Sequence, residues 1–93
     1  GFDLVLDELE DFLPSRTNVE ADYETKELVS AVNRFLSGLD YDDRFLFVRR
    51  YWFADSVKDI ADAMHSRENR VSVRLFRLRG KLRNTLKKEG FSV

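Results

Sequence analysis

A chain of 93 residues with 43% hydrophobic and 13% aromatic side chains can fold as one small domain, burying about 60–65% of its unfolded surface. It has no cysteine, which excludes disulfides, thiolate metal ligands and a cysteine nucleophile, and fits a reducing cytoplasm. The net charge of −1 hides an asymmetry: residues 1–43 carry twelve acidic and three basic side chains, residues 44–93 five acidic and thirteen basic, so −9 faces +8. A split of this size points to a polyanion partner for the basic half, although a solvated helix face offset by an acidic tail would read the same way.

Apolar runs stay well short of the roughly 18 residues a membrane helix needs, and no signal-peptide pattern is present, so no membrane association is expected. Gly1 stands where a start methionine would, which suggests a piece of a longer chain.

Residues 1–22, GFDLVLDELEDFLPSRTNVEAD, combine scattered apolar residues, many acids and the only proline, Pro14. They read as an acidic linker or N-terminal extension, with a short helix before a turn at most. The acids Asp3, Asp7, Glu8, Glu10 and Asp11 could gather a cation, but a solvated linker is the better reading. Residues 23–93 form the folded domain. From about Tyr23, Leu28, Val32, Phe35 and Leu39 recur at helical spacing, with Val29 and Leu36 widening the stripe. Gly38 and Asp40 punctuate this helix, and Asp40 can cap the next one, with Asp43 at its third position.

In YDDRFLFVRRYWF, Phe45, Val48 and Trp52 share one helical face. Trp52 and Phe53 are expected to close the core, the alternative being that one of them anchors a partner. After the break at ADS, Ser56 is a natural N-cap for VKDIADAM, where Val57, Ile60, Ala61 and Met64 fall on one face. HS interrupts again, and a long helix runs from about Arg67 to Glu89, closed by Gly90. With no β-rich runs and no repeats, the expected fold is all-α. It is a small helical domain of about four helices containing a helix-turn-helix with a long C-terminal helix.

The long helix separates into faces. Val71, Leu75, Leu78, Leu82 and Leu86 form one apolar stripe, and Arg67, Arg70, Arg74, Arg77 and Lys81 a basic stripe beside it. Arg79, Arg83 and Lys87 make a second basic row, with Asn69, Val73 and Phe76 between the rows. A helix buried along its back and lined with arginine suits the width and charge of a DNA major groove, and the arginine fork can grip phosphate or guanine with two bonds. Phe76, pointing outward, fits a contact with DNA or a partner as well as packing under the acidic N-terminal segment. His65, the only histidine, lies in the helix break and reads as a turn residue tolerant of positive φ. Without a glycine-rich phosphate loop or a Ser/His/Asp arrangement, no enzymatic activity, metal or cofactor is expected.

The segments RFLFVRRYW, SVKDIADAM and VSVRLFRLRGKLR together resemble region 4, the C-terminal promoter-reading domain of bacterial sigma factors, of the small extracytoplasmic-function type. Leu39, Arg44, Arg50, Tyr51, Ser56, Asp59, Ile60, Ala61, Val71, Leu75, Arg77, Arg79, Leu82 and Arg83 match that family's pattern in an ungapped register over about residues 35–83. Departures cluster at the turn, where His65, Ser66 and Arg67 stand in place of the family's usual glycine, aliphatic residue and serine. Capping of the last helix is then expected to shift to Ser66. Asp40 stands where proline is common in the family.

The resemblance implies that the last helix enters the major groove of the −35 promoter element while other helices dock on core RNA polymerase. It places Glu68, Asn69, Ser72, Val73 and, further along, Arg77 at base edges. Arg67, Arg70 and Arg74 would contact phosphate or guanine, and Lys58 the DNA backbone. The implied partners are double-stranded promoter DNA and core RNA polymerase, with an anti-sigma factor as a further candidate. The implied state is a monomer in the cytoplasm. A family member also needs a separate domain for the −10 element. The acidic first residues are then expected to link to that domain, the alternative being that residues 1–24 fold back on the basic helix and compete with DNA. Two other readings remain open: a different helix-turn-helix regulator of the response-regulator output type, which would dimerise, and a helical module whose basic face binds an acidic protein.

Overall fold

The computed structural model describes residues 8–13 and 22–92, with side chains in the second segment from Lys26 onward. Four helices follow one helical turn at 8–10: α1 (Asp22–Ser37), α2 (Tyr41–Tyr51), α3 (Val57–Ala63) and α4 (Glu68–Lys88). The fold is all-α, and α4 packs against each of the other three. No helix among the described residues is long and apolar enough to cross a membrane.

Local chemistry sets most of the helix ends. Asp40 is extended, and its carboxylate accepts the Asp43 N–H at 2.9 Å, starting α2. Ser56 does the same for α3 through the Asp59 N–H at 3.0 Å. At the end of α4, Gly90 has φ 97°, and the Gly90 and Phe91 N–H groups return to the carbonyls of Lys87 and Leu86. That Schellman closure folds Phe91 back against the core.

The core follows from the apolar stripe of α4. Val71, Leu75, Leu78, Leu82 and Leu86 are all buried, in one cluster with Ala31 and Phe35 from α1, Leu39 from the turn after it, and Ile60 and Ala61 from α3. On α2 the buried residues are Leu46, Phe47 and Tyr51, whereas Phe45 and Val48 are only partly buried and Trp52 is exposed. The face expected from Phe45, Val48 and Trp52 is therefore rotated by about one residue. Since α2 is apolar on adjacent faces, its own periodicity could not choose between them. Phe47 decides it, packing edge-on between Phe35 at 5.8 Å and Tyr51 at 4.8 Å.

Residues 8–13 join this core from the N-terminal side. Leu9 is buried and Leu13 packs against the cluster. The Phe12 and Leu13 N–H groups bond back to the Leu9 and Glu10 carbonyls, closing one turn. Asp3, Asp7 and Pro14 lie outside the described residues.

Candidate nucleic-acid interface

The turn between α3 and α4 aims the last helix. The His65 N–H reaches the Asp62 carbonyl at 3.2 Å and the Ser66 N–H reaches the Ala61 carbonyl at 2.9 Å, a Schellman closure with His65 as the left-handed residue at φ 52°. Capping does not shift to Ser66 as expected. The Ser66 N–H closes the end of α3, and α4 starts one residue later with Arg67 as N-cap and no side chain capping that end. Most other residue types would also strain at position 65; glycine would relieve about 1 kcal/mol of it.

With Val71, Leu75 and Leu82 buried, the helical period turns Asn69, Val73, Phe76 and Gly80 outward. Glu68, Asn69, Arg70, Ser72 and Arg77 are exposed along this surface, with Arg67 at its start and Lys81 further along. Val73 is 39% exposed and Phe76 64%. Lys58 is exposed on α3. Eight of the nine residues picked out from the sequence for DNA contact thus lie on accessible surface. Arg74 is the ninth, and it is diverted. It is partly buried, and its Nε donates to Asp43 Oδ1 at 3.1 Å, with Nη2 donating to the same oxygen. Asp43 thus ties the first turn of α2 to the middle of α4.

The second basic row is bound more tightly still. Arg79 Nη1 donates to Glu8 Oε1 at 2.6 Å and to the Tyr51 hydroxyl at 2.8 Å. Tyr51 donates its own hydroxyl to Glu8 Oε1 at 2.6 Å, and Arg50 Nη2 donates to Glu8 Oε2 at 2.8 Å. One carboxylate therefore joins α2, α4 and the N-terminal turn. The Phe12 ring lies 5.5 Å from the Arg79 guanidinium carbon, and Phe76 lies 5.8 Å from it. Burial works to raise the Glu8 pKa, but the hydrogen bonds from Arg50 and Tyr51 and the charges of Arg50 and Arg79 outweigh it and hold the carboxyl below its ordinary value. Burial, and then the hydrogen bond to the Glu8 anion, push the Tyr51 phenol up, with Arg79 opposing.

Sequence reasoning did not find this network, whose partners lie 28 to 71 residues apart. The one signal for it was local: Leu9, Phe12 and Leu13 fall at i, i+3 and i+4 among acids, an amphipathic turn that needs a surface to lie on.

Trp52 and Phe53 do not close the core; they are 50% and 59% exposed. The loop that carries them is nonetheless held firmly. Arg49 stacks 4.2 Å from the Phe53 ring and pairs with Asp55 at 2.6 Å, Arg50 donates to the Asp55 carbonyl at 3.0 Å, and Ala54 takes φ 57°. With Ala54 partly buried in a left-handed turn, the two aromatics before it are turned outward.

The architecture is that of an all-α helix-turn-helix domain with an arginine-lined last helix. No protein-family model, no curated protein and no solved structure matches the chain.

Proposed function

We propose that the chain binds double-stranded DNA through α4, as the −35 promoter-reading domain of a sigma factor. In this reading it acts as a monomer in the cytoplasm, docked on core RNA polymerase, and catalyses nothing itself. The observation that carries the reading is the accessible surface of α4: exposed Arg67, Arg70, Arg77 and Lys81 flank Asn69, Ser72 and Val73 on a helix whose opposite side is the core. The cations would hold phosphate or guanine. Asn69 can pair with adenine, Glu68 can accept from cytosine and Val73 can meet a thymine methyl. The uncapped first turn of α4 leaves backbone N–H groups free for a phosphate, and Lys58 on α3 would steady the backbone.

Trp52 and Phe53, exposed on a loop tied by Arg49 and Arg50 to Asp55, support a protein-docking surface, which in this reading faces the polymerase. As a second reading, they favour a protein-interaction module, whose exposed basic face on α4 would meet an acidic protein.

The test is a fluorescence-anisotropy titration of labelled duplexes carrying candidate −35 sequences at several salt concentrations. Six phosphate contacts give a slope of about −5 in log K against log salt. No binding at about 50 mM salt would move the reading to the protein partner, and a dimeric solution mass would favour the response-regulator type.

A further inference from the structure

Glu8 is placed as a ligand would be. Its two oxygens are divided between Arg79 with Tyr51 and Arg50, four hydrogen bonds in the network spanning 2.6–2.8 Å, with both guanidinium side chains only 13% exposed. Apolar contacts flank the ionic ones: Leu9 is buried, and Phe12 lies beside the Arg79 guanidinium. The groups that receive the segment belong to α2 and α4 alone. Among the described residues, Nε of Arg50 and of Arg79 is buried there without a hydrogen-bond partner, so the ionic contacts to Glu8 run through the guanidinium ends.

The location matters as much as the chemistry. Arg79 lies three residues beyond Phe76, itself one turn beyond Ser72 and Val73 on the exposed side of α4. Exposed Glu10 and Asp11 add two negative charges to the docked turn that Glu8 anchors on Arg79. We propose that Arg50, Tyr51 and Arg79 form a receptor for an acidic amphipathic segment, that the chain's own residues 8–13 are its occupant, and that the docked segment competes with DNA for this flank of α4. The competition rests on the proposed DNA binding; the receptor does not.

Two titrations on the full chain separate these parts. The first uses a fluorescein-labelled peptide, LVLDELEDFLPS, spanning residues 4–15. A chain carrying Glu8→Gln and Phe12→Ala, its own segment released, should bind the peptide at least about ten-fold more tightly than the wild-type chain, whose segment competes at high effective concentration. Adding Arg79→Met should abolish that binding. Equal binding by wild-type and released chains, or binding that survives Arg79→Met, overturns the receptor. If far-UV circular dichroism shows the double variant has lost helix, Glu8→Gln alone takes its place, since it leaves Leu9 and Phe12 intact.

The second titration uses duplex DNA at low salt. Glu8→Gln should raise affinity at least about threefold more than Glu10→Gln, which removes the same charge at an exposed position. Equal effects overturn the competition. If no chain binds any duplex, the proposed DNA binding fails and the competition with it, while the peptide titration still decides the receptor.

Discussion

Arg77 and Arg79 stand two residues apart on α4 and carry the same guanidinium, yet they have opposite surroundings. Arg77 is exposed and makes no ion pair among the described residues. Arg79 is 13% exposed, bonded to Glu8 and Tyr51 and flanked by Phe12 and Phe76. The same contrast separates Arg70, which is exposed, from Arg74, which is held by Asp43. The basic character of the helix thus divides into two tasks. Some arginines remain accessible on the surface, where the proposed function uses them, and others hold the helix against α2 and the N-terminal turn.

The sharpest way to break this comparison is to remove the two charges one at a time. Arg79→Met should cost about 2 kcal/mol of stability, because Glu8 and Tyr51 each lose a hydrogen bond from a cation in a partly dry site, Arg50 alone remaining on Glu8 as a cation. Arg77→Met should stay within about 0.5 kcal/mol. Urea unfolding of the two variants checks it, and equal costs would erase the distinction.

Duplex affinity should divide the other way. Arg70→Glu with Arg77→Glu should lower it by about 100-fold and flatten the salt slope by about 2. The thermal midpoint should hardly move. A large loss of helix in that variant would mean these side chains also hold the fold.

A smaller effect should appear on acidification. The Glu8 pKa is held below its ordinary value of 4.5, so the folded state binds that proton less readily than the unfolded one. The stability Glu8 contributes is complete above the ordinary value and is lost as pH falls through the lowered folded value. Urea midpoints stepped from neutral to acid pH should fall less steeply for Glu8→Gln than for the wild-type chain. Parallel curves would show that the carboxylate gains nothing from its arginines.

The smallest effects belong to the turns. Ser56→Ala should cost about 1 kcal/mol through loss of the bond from the Asp59 N–H. His65→Gly should change stability by less than about 0.5 kcal/mol, the relief at positive φ being offset by a more flexible unfolded chain. Thermal melts resolve both.

How much could be read from the sequence differs by element, for physical reasons. The core stripe of α4 was legible in full because five apolar residues at helical spacing on an otherwise polar helix leave one choice of face. The caps at Asp40 and Ser56 and the turn at His65 were legible because each is closed by groups a few residues apart. The buried face of α2 was not. Phe45, Leu46, Phe47 and Val48 are consecutive and apolar, and only the position of Phe35 selects among them. Nor could the sequence show that Trp52 and Phe53 face outward, since that depends on the loop that Arg49 and Arg50 tie to Asp55.

By itself, then, the sequence determined that this is an all-α chain, where most of its helices begin and end, which side of α4 is buried, and that positive charge is gathered on that helix. These are properties of residue order over a few turns. Only the tertiary structure decided which arginines remain accessible. Asp43 is 31 residues from Arg74 and Glu8 is 71 from Arg79, and such pairs meet only after the apolar faces have packed. Local spacing can place a charge on a helix, but its partner is chosen by what the folded core brings alongside.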